Sequence, residues 1–280
     1  MTTDWRNIII HLEGAEGAAN RLLVARKVAL AHEARLSALH AALPAGLLVP
    51  QVGAGMGEIA LAMGQLDIER RDGSRGAFDV VLRQAGMDAS WAELTEVSAD
   101  ENFIRCAMLA DLVVLGQPQP DLASRGMPVS FVPHVLARCG RPCLVVPHSM
   151  RIDDGPVKTV VVAWKETPES VRAVVGALPL LRQATRVHVL TWGGKDLPAR
   201  GPLPDMPAWL RTQGVQASVA HEAGEEPRDL GELLLSRCAD LGADVLVMGC
   251  YGHSRAREWL LGGVTRTLLS SMTLPVLMAH

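Results

Sequence analysis

Ala243-Asp244-Val245-Leu246-Val247-Met248-Gly249 has a counterpart earlier in the chain, Ala110-Asp111-Leu112-Val113-Val114-Leu115-Gly116, at a distance of 133 residues. A second pair keeps that distance, Arg141-Pro142-Cys143-Leu144-Val145-Val146 against Leu274-Pro275-Val276-Leu277-Met278-Ala279. Two apolar runs with the same spacing between them in both copies mark a duplication, and a duplicated unit repeats one fold. Near the start of each copy, Asn7-Ile8-Ile9-Ile10-His11-Leu12 matches Thr159-Val160-Val161-Val162-Ala163-Trp164, a short apolar run of the kind that forms a buried strand. The chain has 280 residues, which at about 150 residues per domain leaves room for two. We place the first domain at 1–148, a linker at 149–156 where Asp153-Asp154-Gly155-Pro156 interrupts the pattern, and the second domain at 157–280.

In the second copy Thr167 is placed to cap a helix whose first residue is Pro168. Val171, Val174, Val175, Leu178 and Leu181 give that helix an apolar stripe. Further strands are expected at 187–190, at 215–219 (Val215, Ala217 and Val219 alternating with polar residues), at 244–248 and at 276–279. Helices intervene from Pro227 and around Val264, Leu268 and Leu269. Strands alternating with helices predict an α/β fold: in each half a five-stranded, mostly parallel sheet with helices on both faces. The first half departs from this order at 58–85, where one or two extra amphipathic helices are expected.

Apolar residues make up 49% of the chain and charged ones 20%, a composition that folds. The net charge of −3 offers no field to collect nucleic acid or anionic lipid. Every apolar run is too short for a membrane span, and the N-terminus lacks the pattern of a secretory signal, so a cytoplasmic protein is expected. The cysteines at 106, 139, 143, 238 and 250 include no C-x-x-C pair and read as buried reduced thiols; no metal site is expected.

The chemistry-bearing motif is Gly249-Cys250-Tyr251-Gly252, then nine residues, then Gly262-Gly263-Val264-Thr265. Glycines after a strand let a backbone approach a phosphate, and the amides opening the next helix present donors and a favourable dipole to an anion. Strand, Gly-x-x-Gly, nine residues, Gly and a small residue resembles the nucleotide motif of the universal stress protein family, and both halves share in the resemblance. It implies a tandem two-domain member with an adenine nucleotide, ATP or a relative, at the strand ends of the second half. Carried over, Gly249, Gly252, Gly262 and Gly263 would line the phosphates. Met248 would lie by the base, with Ala163, His253, Val264, Thr265 and Lys165 completing the site. Two positions depart from the family pattern. Gly263 stands where a hydroxyl is usual, a loss that Thr265 or Ser254 would have to make good. Lys165 stands where an Asp is usual, which exchanges a nucleoside or metal contact for a cation able to pair with phosphate, and leaves magnesium open.

In the first half Gly116 survives, but Gln119, Val129 and Ser130 stand at the places of Gly252, Gly262 and Gly263, and Pro118 and Pro120 remove amide donors. No nucleotide is expected there, and Glu13 alone makes no site. Gly53-Ala54-Gly55-Met56-Gly57 imitates a dinucleotide fingerprint but follows no first strand, and Gly252-His253-Ser254-Arg255-Ala256 imitates a hydrolase elbow, but no Asp follows and the only acid downstream, Glu258, lies four residues away on the same segment. No catalytic residue is assigned, and slow ATP hydrolysis would need a water-positioning group that the sequence does not identify. The leading expectation is a stress-response protein that binds nucleotide as a regulatory ligand. The alternative is an interaction or dimerisation scaffold with vestigial sites, its last strands pairing domains within the chain or between two copies.

Overall fold

The computed structural model describes residues 4–14, 17–45, 56–83, 86–94, 98–118, 127–148, 150, 155–192, 205–222, 229–251 and 263–280. They form two compact units, one from Trp5 to Asp154 and one from Gly155 to His280. The first runs β1 (Asn7–Leu12), α1 (Ala18–His32), β2 (Arg35–Ala41), α2 (Met56–Phe78) ending in a wider π-type turn (Asp79–Arg83), β3 (Ala89–Leu94), α3 (Ala99–Ala107), β4 (Leu112–Gly116), α4 (Phe131–Arg138) and β5 (Cys143–Val146). The second runs β6 (Thr159–Ala163), α5 (Pro168–Gln183), β7 (Arg186–Trp192), α6 (Met206–Thr212), β8 (Ser218–Glu222), α7 (Leu230–Asp240), β9 (Val245–Gly249), α8 (Gly263–Ser271) and β10 (Val276–Ala279).

The strand order is β3-β2-β1-β4-β5 in the first unit and β8-β7-β6-β9-β10 in the second, every pair within a unit being parallel. This is the α/β fold read from the sequence. Central strands buried on both faces must be apolar throughout, and Ile8, Ile10, Val113, Val114, Val161, Val162, Leu246 and Val247 are all inaccessible. The duplication extends to single hydrogen bonds. Asp111 Oδ2 accepts from the amides of Arg6 and Asn7 at 2.8 and 2.9 Å, and Asp244 Oδ2 accepts from those of Lys158 and Thr159 at 2.7 and 2.8 Å. Each carboxylate thereby fixes the start of the first strand beside the fourth.

Thr167 caps α5, its Oγ1 accepting from the Ser170 amide at 3.4 Å, with Pro168 in the first turn. The buried face of α5 carries Ala173, Val174, Ala177, Leu178 and Leu181, whereas Val171 and Val175 are 46% and 43% exposed. A one-residue step turns a side chain by roughly 100°, so those two valines fall beside the stripe rather than on it. The third strand of this half starts later than its alternation suggested. Val215 is buried in the turn leaving α6, its amide bonded to the Leu210 carbonyl at 2.9 Å while Gly214 takes φ 81°, and β8 begins at Ser218. The helix α6 is set by its cap: Asp205 Oδ1 accepts from the Ala208 amide at 2.7 Å, and of its residues only Leu210 is buried.

The extra segment of the first unit is one long helix, α2. It docks by its last turns, where Ser74 Oγ lies 3.2 Å from His40 Nδ1, Phe78 packs against Trp91, and the Arg75 guanidinium lies 5.2 Å from the Trp91 ring. Burial pushes the His40 imidazole down to about 4. Its folded value lies below its ordinary 6.5, so the unfolded chain binds the extra proton and stability falls as pH drops from 6.5 towards 4, levelling off below. We expect a loss on the order of 3 kcal/mol across that window in urea unfolding, reduced in His40→Gln. In the second unit, Asp244→Ala strips the acceptor from two strand amides and is expected to cost about 2 kcal/mol in urea midpoint, with Asp244→Asn milder.

Candidate functional site

In a sheet built outward from β1 and β4, or from β6 and β9, successive crossovers leave to opposite sides, and a crevice opens beyond the carboxyl ends of those two strands. In the second unit this point is formed by β6 and β9, where Ala163 stands opposite Met248 in register, followed by Lys165 and Gly249. Ala163 is half-buried, Met248 buried, and Lys165 exposed.

The motif glycines within the described residues do different things. A Cβ on Gly249 would stand 2.5 Å from the Ser170 amide nitrogen and 2.6 Å from the Glu169 carbonyl carbon, so the start of α5 seats directly on the end of β9 and requires glycine there. Gly263, opening α8, is exposed, and no described atom lies within 4 Å of the place a Cβ would take. Packing among the described residues does not require that glycine. Val264 is half-buried, and Thr265 lies on the buried face of α8 with Leu268 and Leu269. Gly252, His253, Ser254 and Gly262 lie outside the described residues. Beyond β9 the chain turns at Tyr251, whose φ of 61° is left-handed; its ring meets His280 edge-on at 5.9 Å, and His280 Nδ1 lies 3.2 Å from the Cys250 carbonyl.

The first unit fills its own switch point. Gly116 holds the place of Gly249 at the end of the fourth strand, and Glu13 that of Lys165 after the first. Arg21 of α1 reaches across so that its Cζ lies 2.9 Å from where a Gly116 Cβ would stand. Its guanidinium grips Glu13 with both nitrogens, Nη1 to Oε2 at 2.6 Å and Nη2 to Oε1 at 2.8 Å, and Nη1 also donates to the His11 carbonyl at 2.9 Å. His11 Nδ1 lies 3.0 Å from the same Glu13 Oε2 and its Nε2 3.0 Å from the Ala41 carbonyl, while the ring rests on Phe103 and Phe131. Burial alone would push the Glu13 carboxyl up. The Arg21 charge, then the His11 charge and the hydrogen bonds from both, outweigh it and hold the group far below the carboxylate range. The space that remains, bounded by His11, Glu13, Gly116, Met127, Phe131 and their neighbours, is a cavity of about 20 Å3, roughly one water molecule. Sequence reasoning singled out Glu13 without its partner; the signal was an arginine on the apolar face of a helix.

Among the described residues no group of three or more His, Cys, Asp or Glu side chains is placed to hold a metal ion, and no helix is long and apolar enough to cross a membrane.

Each unit is a doubly wound α/β domain, and in the second a glycine opens the last helix. Residues 156–280 match the model of the universal stress protein family. Among solved structures, a universal stress protein from Archaeoglobus fulgidus DSM 4304 is 16% identical, covers 98% of this chain and 97% of its own, and superposes with a TM-score of 0.66. A putative universal stress protein from Pseudomonas aeruginosa UCBPP-PA14 is 15% identical over 98% of this chain and 93% of its own, at a TM-score of 0.59. Both therefore share the fold across both units. A universal stress protein solved in complex with cAMP matches 52% of this chain at 16% identity and a TM-score of 0.32. No curated protein matches the chain.

Replacing Arg21 by Met leaves Glu13 buried without its main counter-charge, and is expected to cost about 3 kcal/mol in the urea midpoint of the first unit. The depressed Glu13 carboxyl contributes stability that is complete above its ordinary value of 4.5 and is lost as pH falls below it. In Arg21→Met the acid-induced loss should therefore shrink, as should the extra penalty at neutral pH when Glu13→Gln is added.

Proposed function

We propose that the second half of the chain is a regulatory binding domain for an adenine nucleotide, ATP or a close relative, and that the first half is its ligand-free structural partner in a stress-response protein. The observation that carries this reading is Gly263. It is a glycine at the first position of α8, and no described atom lies within 4 Å of the place its Cβ would take, so the described packing would tolerate a side chain there. A helix start bare of Cβ atoms offers its amides and the positive end of its dipole to a phosphate. Ala163 and Met248, paired at the ends of β6 and β9, supply an apolar seat for the base, and Lys165 supplies a cation for phosphate in place of a carboxylate and its metal ion.

The first half differs at its own switch point, where the Arg21 guanidinium lies beside Gly116 and is held by Glu13, whereas the second half carries the exposed Lys165 at the place of Glu13. In this reading nucleotide binding acts by occupancy, shifting the population of surfaces that the second half presents to partners. A second reading, an interaction scaffold without nucleotide, is favoured by Lys165 standing where the family carries its Asp.

Calorimetric titration of the full chain with ATP, with and without magnesium, separates the two. Saturable binding that weakens at least tenfold, about 1.4 kcal/mol, in Gly263→Glu and in Lys165→Ala supports the nucleotide domain. Gly263→Glu meets no described atom and should leave the urea midpoint nearly unchanged. Absence of heat at millimolar ATP with folded protein overturns this reading in favour of the scaffold.

A further inference from the structure

Cys139 follows the last turn of α4 and Cys143 opens β5, and the turn between them folds back on Gly140, whose φ is 63°. The two sulfurs lie 3.5 Å apart, and each lies within reach of the Arg141 carbonyl, at 3.6 and 3.5 Å. Arg141 Nε donates to the Met108 carbonyl at 2.9 Å and holds the turn in place. Both cysteines are buried, at 3% and 0% exposure, beneath a turn whose Gly140 and Arg141 are exposed. The pair is thus shielded by one layer of chain from solvent.

We propose that Cys139 and Cys143 form an oxidisable dithiol that closes to an intramolecular disulfide when a small hydroperoxide reaches it. The Cys139 thiolate attacks the peroxide oxygen, the O–O bond breaks, and Cys139 becomes a sulfenic acid with loss of one water. The Cys143 sulfur then attacks the Cys139 sulfur, the S–O bond breaks, and a second water leaves with the Cys143 proton. Two thiols and one hydrogen peroxide give one disulfide and two waters. Bonding needs the sulfurs to approach from 3.5 Å to about 2.05 Å, a side-chain movement shared between two residues.

Cys139 is fitted to the attacking role, since the hydrogen bond from Cys143 holds its thiol below the usual value despite burial. Cys238 shows the opposite setting: burial pushes its thiol up to about 12, and it should stay inert. The ring closed by the bridge is small, so it constrains the unfolded chain little and should reopen readily to a reductant.

Reduced full-length protein treated with hydrogen peroxide and then alkylated in denaturant should lose two of its five thiols. Mass mapping should find both in a linked 139–143 peptide, and dithiothreitol should restore them. In Cys143→Ser, Cys139 should instead be trapped by dimedone as a sulfenic acid, while Cys139→Ser should abolish the loss of both thiols. Five intact thiols in folded protein, or losses confined to Cys106-linked dimers, overturn the proposal. Neither result bears on nucleotide binding, which is read by calorimetry on other residues.

Discussion

A single carboxylate ahead of the fourth strand of each unit sets the frame on which both crevices are built. Asp111 and Asp244 each accept two successive amides from the chain entering the first strand, and return their own amide to Asn7 and Thr159 at 2.8 Å. Charged acceptors make shorter and stronger bonds than neutral ones, and three bonds at one end of a strand pair leave no freedom to slip by a residue. With the entrance fixed, Ile8 must face Leu112 and Val160 must face Val245, and the exits of these strands fall at the same level. The exits repeat as well: Gln117 donates to Val146 as Cys250 donates to Ala279, both at 2.9 Å.

On one frame the two switch points have gone opposite ways. In the first, a carboxylate at the exit of β1 is buried, and a buried carboxylate costs several kcal/mol unless it is paired and hydrogen-bonded. Arg21 and His11 meet that need, and in meeting it they occupy the volume that a ligand would use. In the second, the exit of β6 carries an exposed lysine in place of the carboxylate. The two strand exits thus differ in the sign and burial of one residue, Glu13 or Lys165.

The repeat, the alternation of strands with helices and the cap at Thr167 were legible in the sequence because each is a local or strictly spaced pattern. Apolar runs five residues long, a fixed distance between them and a Thr-Pro pair do not depend on distant contacts. What escaped reading depends on such contacts. The helix α6 buries one residue and therefore has no periodicity, and Val215 is buried by the turn after it rather than by a strand. Arg21 meets Glu13 only once α1 lies on the sheet. Cys139 and Cys143 lack the familiar two-residue spacing, and their sulfurs meet across a turn that passes through the left-handed Gly140.

The glycine motif shows why a pattern of small residues does not translate directly into a ligand site. Gly249 and Gly263 belong to one motif, yet the first is demanded by the backbone of α5 at 2.5 Å and the second by no described neighbour. A structural glycine resists every substitution because the clash is with main chain that cannot move without unseating a helix. A ligand-facing glycine accepts a side chain in the unliganded protein and fails only when the ligand arrives. The fold would keep Gly249 with or without a ligand, whereas at Gly263 glycine has no structural employment among its described surroundings.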